Sequence, residues 1–255
     1  MQARERIQRI RRGAPLALGV LLLAGGVPTA WAQPAPAPAA AKPAPVSKFL
    51  SPGDLDPALL LPRPPKDDAP AAVEGRAELH RIAAARTPGR LAQARHDDEV
   101  EDVTAIADVL GPAFNLERLP ATAKLFADLR KEDSVAAKRA KAYFKRERPF
   151  LNDRALDVCD DGHDVKNSYP SGHATMGYAA AAVLAQLAPG KAQLVLARAS
   201  DYAESRLVCG VHYRADIEAG QVLGNVLVAE LMTKPDFRAE LEAARAELHA
   251  ADITP

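Results

Sequence analysis

The chain has 255 residues, 48% of them hydrophobic and 26% charged, with 33 basic and 33 acidic side chains. That length supports one domain with a substantial core, and the balanced charge excludes the basic footprint of a nucleic-acid binder. The balance conceals a split: five arginines and one glutamate fall within residues 1–32, so the remainder carries 28 basic and 32 acidic groups, a net charge of −4 with histidines neutral.

The first segment is basic (Arg4, Arg6, Arg9, Arg11, Arg12). A short apolar run follows from Ala14 to Ala24, then the small-residue site Ala30-Trp31-Ala32. This is the pattern of a secretory signal peptide, with cleavage expected after Ala32 and a periplasmic or secreted location for the mature chain. No later segment strings together about 20 apolar residues, so no stable membrane insertion is expected once the leader is removed. Residues 33–48 are rich in proline and alanine and read as an extended tether. Residues 49–70 remain proline-dense but carry Phe49, Leu50, Leu55, Leu59, Leu60 and Leu61, and read as an irregular arm lying on the domain that spans 49–255.

Seven helices are predicted, over 71–86, 90–110, 121–144, 174–188, 192–207, 216–232 and 237–250. Each is rich in Ala, Leu, Glu, Arg or Lys with apolar residues three and four apart. Pro-Gly and Gly-Pro pairs and Pro120 and Pro235 mark the breaks. No stretch alternates as a strand does. The expectation is an all-α fold: a single, soluble, compact helical domain.

Three short stretches carry the chemistry. In Tyr169-Pro170-Ser171-Gly172-His173, Ser171 is a helix N-cap, so His173 sits in a first turn whose free N–H groups attract anions. Gly172 lets backbone approach a ligand closely. An ordinary capped helix with a surface histidine is the plain alternative. The run from Lys141 to Arg148 could be a solvated basic face, and His212 and Asp216 could be a surface pair one turn apart. Together they form a kit. Lys141, Arg148 and Arg206 can neutralise a phosphoryl group, with arginine offering a planar fork for two oxygens. Two histidines supply a nucleophile and an acid, and Asp216 can fix the tautomer of His212.

The spacing K-x6-RP, PSGH, SR-x5-H-x3-D resembles the type 2 phosphatidic acid phosphatase superfamily at Lys141, Arg148-Pro149, Pro170 to His173, Ser205-Arg206, His212 and Asp216. Across about 49–232 the chain is most similar to exported bacterial class A non-specific acid phosphatases. It shares Arg148-Pro149-Phe150, Ser168 to His173 and Cys209-Gly210. Tyr213 stands where that class usually has Trp, which places it at the pocket rim. The resemblance implies a helical domain of the acid phosphatase–vanadium haloperoxidase type, acting on small-molecule phosphate esters. It implies His212 as nucleophile, Asp216 as its holder and His173 as the acid. Lys141, Arg148, Ser171, Gly172 and Arg206 would form the phosphate site. It calls for no metal and no cofactor, and a homo-oligomer is expected.

Three other functions remain as alternatives: a vanadate-dependent haloperoxidase, a lipid phosphate or pyrophosphate phosphatase, and a phosphate-binding protein without catalysis. Export permits a disulfide between Cys159 and Cys209, the expected state; two separate thiols are the alternative. Residues 160–164 (Asp-Asp-Gly-His-Asp) read as a polar turn rather than a metal loop. His80, His96 and His249 are expected on the surface, and Tyr143 and Phe144 in the core.

Overall fold

Proline sets where many of the helices begin. Pro57, Pro70, Pro88, Pro120, Pro149 and Pro235 each occupy a first helical turn, where the missing N–H is no loss. The structure, a computed structural model, describes residues 46–159 and 167–254; the expected signal peptide, most of the tether and loop 160–164 lie outside the described residues. In chain order the helices are α1 (Pro57–Leu60), α2 (Pro70–Ala85), α3 (Pro88–Glu99), α4 (Thr104–Ala107), α5 (Pro120–Phe144), α6 (Pro149–Asn152), α7 (Gly172–Leu187), α8 (Ala192–Val208), α9 (Arg214–Leu231) and α10 (Pro235–Ala250). Among the described residues there is no strand, and the fold is all-α as expected.

The alanine-rich α7 is central and packs against α5, α8 and α9. Its contact with α9 is made at backbone distance. A Cβ on Gly224 would lie 2.5 Å from the Thr175 carbonyl, and one on Gly220 would lie 2.7 Å from Ala174 Cβ and 2.8 Å from the Ser171 carbonyl. Leu184, Leu187, Val195, Tyr202, Leu223 and Leu227 fill the core around this contact. The first turn of α5 has no cap of its own. Glu247 of α10 supplies one, accepting from Ala121 N (3.0 Å), Thr122 N and Thr122 Oγ1 (both 2.8 Å), which also places a carboxylate at the positive end of the helix.

The arm packs on α5, and the contact begins already at Ser47 and Lys48, residues expected to belong to the tether. Glu132, buried on α5, accepts from Ser47 Oγ (2.7 Å), Lys48 N (2.5 Å) and Phe49 N (2.9 Å). Leu55 and Leu61 are buried, while Leu59 is 85% exposed.

The helix predicted over 90–110 is interrupted. The chain leaves α3 at Val100, which is extended, and restarts at α4 before a 3-10 turn at Asp108–Leu110. Asp102 competes with helix continuation by accepting from Thr104 N (2.8 Å) and Thr104 Oγ1 (2.5 Å). The freed carbonyls find distant donors: Tyr202 Oη donates to Val100 O (2.7 Å) and Arg130 Nε to Glu101 O (2.8 Å). Tyr143 is also corrected. It stands 45% exposed where α5 runs out into solvent, while Phe144 packs edge-on against Tyr169 at 4.9 Å.

Candidate active site

The last turn of α5 delivers Lys141, and Lys145 then ends the helix in the left-handed region (φ 51°). The turn redirects the chain so that Arg146 and Arg148 both point into the protein and are buried. Arg148 precedes α6; its Nη1 donates to Val211 O (2.9 Å) and stands 2.8 Å from His212 Nε2.

Ser171 caps α7 by accepting from Ala174 N (3.3 Å), and its own N–H donates to the Asp216 carbonyl (2.9 Å). The start of α7 is thereby tied to α9. A Cβ on Gly172 would lie 3.5 Å from Lys141 Nζ, so the glycine keeps that face of the helix start open to the ammonium. His173 is buried in the first turn. Its Nε2 lies 3.1 Å from the Asp98 carbonyl, 3.7 Å from the Asp98 carboxylate and 3.4 Å from Glu101 Oε1. A carbonyl can only accept, so Nε2 carries a proton and Nδ1 is the nitrogen free to exchange one.

Arg206, at the end of α8, is fully buried and pairs through Nη1 with Asp98. After it Gly210 turns at φ 69°, His212 lies just before the N-cap Tyr213 of α9, and Asp216 lies in that helix's first turn. Asp216 is a hub. It accepts from Arg146 Nη1 (2.7 Å), Ser168 Oγ (2.6 Å), Tyr213 N (2.9 Å) and His212 Nδ1 (3.2 Å). With Nδ1 protonated against this carboxylate, His212 presents the Nε2 lone pair toward Arg148.

Burial, then Arg148, Arg206 and Lys141, hold the His212 imidazole well below its ordinary range. Burial and Arg206 do the same to His173, against an opposing pull from Asp98. Burial, then Arg148 and Arg206, bring the Lys141 ammonium down to about 8. Burial pushes the Asp216 carboxyl up, with Arg146 and Ser168 pulling it down. A dianion entering here would meet three cations and oppose every one of these depressions.

Cys159 and Cys209 form a disulfide, and Cys159 N donates to Cys209 O (3.0 Å). The bridge clamps the segment after α6 to the turn that carries His212.

A model of the PAP2 superfamily matches residues 133–239. An acid phosphatase of Zymomonas mobilis is 31% identical over 203 residues, covering 77% of this chain and 76% of that protein. A non-specific acid phosphatase of Salmonella typhimurium is 33% identical over 212 residues, covering 80% of this chain and 85% of that protein. The chain belongs to the PAP2 superfamily. A decaprenylphosphoryl-5-phosphoribose phosphatase of Mycolicibacterium smegmatis is 43% identical over a shorter stretch of 88 residues, 34% of this chain and 45% of that protein.

The fold of this PAP2 chain links the sequence-predicted site residues through shared contacts: Lys141 with Gly172, Ser171 with Asp216, Asp216 with His212, and His212 with Arg148. Arg206 and His173 meet at Asp98. Sequence reasoning missed Arg146, Asp98 and Glu101 as site residues. Arg146 was hidden inside a basic run, Asp98 sits in the last turn of α3, and Glu101 lies in the unforeseen break that follows it. Tyr213 is corrected as well: it is buried with the Arg146 guanidinium 4.0 Å over its ring, supporting that arginine instead of shaping the rim. Its N–H is bound to Asp216 and its ring packs against Gly75 of α2, which leaves it no path outward. Among the described residues no helix is long and apolar enough to cross a membrane. His80, His96 and His249 are exposed.

Proposed function

We propose that this chain is an exported acid phosphatase that hydrolyses phosphate monoesters of broad structure through a phosphohistidine. The carrying observation is His212, whose Nδ1 faces the Asp216 carboxylate while Nε2 faces Arg148 in a buried, cation-lined site. His212 Nε2 attacks phosphorus in line and the P–O bond to the leaving group breaks. His173 gives its Nδ1 proton to the departing alkoxide. It then takes a proton from water, whose oxygen displaces His212 and releases inorganic phosphate. Lys141, Arg148, Arg206, the Ser171 hydroxyl and the Gly172 N–H hold the equatorial oxygens, and this positioning and charge stabilisation supplies most of the catalysis. Arg206 Nε is buried with no hydrogen-bond acceptor among the described residues, which supports a role in taking an anionic oxygen. The fixed cations do the electrostatic work that a metal does elsewhere.

The proposal includes removal of residues 1–32, the tether over 33–48, the catalytic domain over 49–255 and a homo-oligomeric assembly. The test is a substrate panel on the mature protein and its His212→Ala variant, with a nucleotide, a sugar phosphate, pyrophosphate and a phosphatidate. The monoesters are turned over by the wild type and not by the variant. Near-normal turnover by His212→Ala, or turnover of the phosphatidate alone, overturns the reading.

A further inference from the structure

The cage makes two demands that conflict. Phosphate capture needs Lys141, Arg148 and Arg206 charged. The leaving-group acid, buried among them, must hold an extra positive charge before it can donate. Arg206 of α8 and Lys141 of α5 both act against the charged form of His173, and His173 and His212 lie within electrostatic reach of each other. Tyr202 lies alongside the His173 ring at 5.8 Å and brings no charge. Two carboxylates face it, Asp98 from the last turn of α3 and Glu101 from the break just after it. That of Asp98 is 3.7 Å away and already committed to Arg206.

Glu101 is divided between two partners. Its Oε2 takes Arg130 Nη2 at 2.7 Å, and its backbone carbonyl takes Arg130 Nε at 2.8 Å. Arg130 is anchored in turn on buried Asp133 at 2.6 Å. Held at both ends, the side chain keeps Oε1 at 3.4 Å from His173 Nε2 although the residue is half exposed. The near oxygen faces the imidazole and the far oxygen faces Arg130, so the ring meets the negative end of the pair first.

We propose that Glu101 is a positioning residue for the leaving-group step: clamped by Arg130, it serves His173 as Asp216 serves His212, holding the imidazolium until the alkoxide departs. No atom of Glu101 touches substrate or exchanges a proton. The inference rests on the assignment of His173 as the acid. It has a chemical consequence: leaving groups that need protonation, such as alkyl and sugar phosphates, depend on Glu101, and aryl phosphates with acidic phenols do not.

The experiment is Glu101→Gln, which keeps the shape and an acceptor for Arg130. It is assayed as kcat against pH on glycerol phosphate and on p-nitrophenyl phosphate, with His173→Ala in parallel. A neighbouring carboxylate raises an imidazole pKa by about 1 unit. On glycerol phosphate the alkaline limb of Glu101→Gln should therefore move about one unit toward acid, with a roughly tenfold lower kcat beyond it. Turnover of p-nitrophenyl phosphate should stay within about twofold. Glu101→Asp should restore part of the limb. An NMR titration of His173 in the ligand-free protein reads the same shift without turnover. An unmoved limb with unmoved His173 titration, or equal losses on both substrates, overturns the proposal. If His173→Ala itself keeps full activity on glycerol phosphate, it is the assignment of the acid that fails, and the NMR shift alone then decides the Glu101–His173 coupling.

Discussion

Asp216 Oδ2 stands 3.2 Å from His212 Nδ1 while its other oxygen takes Arg146 Nη1 at 2.7 Å. One buried carboxylate thus orients the nucleophile and neutralises an arginine. Asp216→Asn keeps the shape but presents an amide that can turn N–H toward His212, favouring the tautomer with Nε2 protonated and its lone pair lost. By analogy with tautomer-fixing aspartates elsewhere, kcat should fall by about 10³- to 10⁴-fold. Asp216→Ala should also cost stability, by about 3–5 kcal/mol, because Arg146 is left buried without its partner. Steady-state kinetics and urea unfolding check the two effects separately.

Lys141 should shape the alkaline side of substrate capture. Burial and the neighbouring arginines bring its pKa down to about 8, so in the free enzyme the ammonium is charged below that pH and lost above it. KM for phosphate monoesters should rise above about pH 8, more steeply than kcat falls. Lys141→Met should remove the inflection and weaken capture below about pH 8, by about 10- to 100-fold for one charge-assisted contact, with the difference narrowing above that pH. An unchanged inflection in Lys141→Met would assign it to another group.

The α7–α9 contact should tolerate no added methyl group. Gly224→Ala drives a Cβ to 2.5 Å from the Thr175 carbonyl, and Gly220→Ala drives one to 2.8 Å from the Ser171 carbonyl. Both should destabilise the protein by about 1–3 kcal/mol. Gly220→Ala should lower kcat as well, since it displaces the cap of the His173 helix. Gly89→Ala, with nothing within 4 Å of the added carbon, is the control and should be neutral in denaturant melts.

The Cys159–Cys209 bridge closes a loop with a sequence separation of 50. The chain-entropy model values such a closure at roughly 4 kcal/mol. Reduction should lower both Tm and activity, and Cys159→Ser and Cys209→Ser should show the same defect. Thiol titration of unfolded, unreduced protein should find none; two free thiols would end the assignment.

The helices were legible because alanine- and leucine-rich segments at helical spacing are separated by proline and glycine. The motif residues were legible because Lys141, His173 and His212 sit at spacings that recur with this chemistry. The break after α3 was not. Its carbonyls are satisfied by Tyr202 and Arg130, which lie 102 and 29 residues from their acceptors. Local propensity holds no trace of such partners, so 90–110 read as one helix. For the same reason nothing local marked Asp98 or Glu101 as site residues: their partners Arg206, His173 and Arg130 are brought to them only by the fold. Arg146 was obscured differently: flanked by Lys145 and Glu147, it resembles a surface residue until Asp216, 70 residues away, is brought beside it. Tyr143 read as core because aromatic residues near a helix end usually are, and only the direction in which α5 terminates exposes it.

The double displacement through His212 is tested most directly by the stereochemical course at phosphorus. A monoester made chiral at phosphorus with oxygen isotopes is turned over, and the phosphoryl group is captured by an acceptor alcohol. Two in-line displacements, first by His212 and then by the acceptor, give net retention of configuration. Net inversion, the mark of a single direct transfer, would contradict the phosphohistidine and with it the role of His212 as nucleophile.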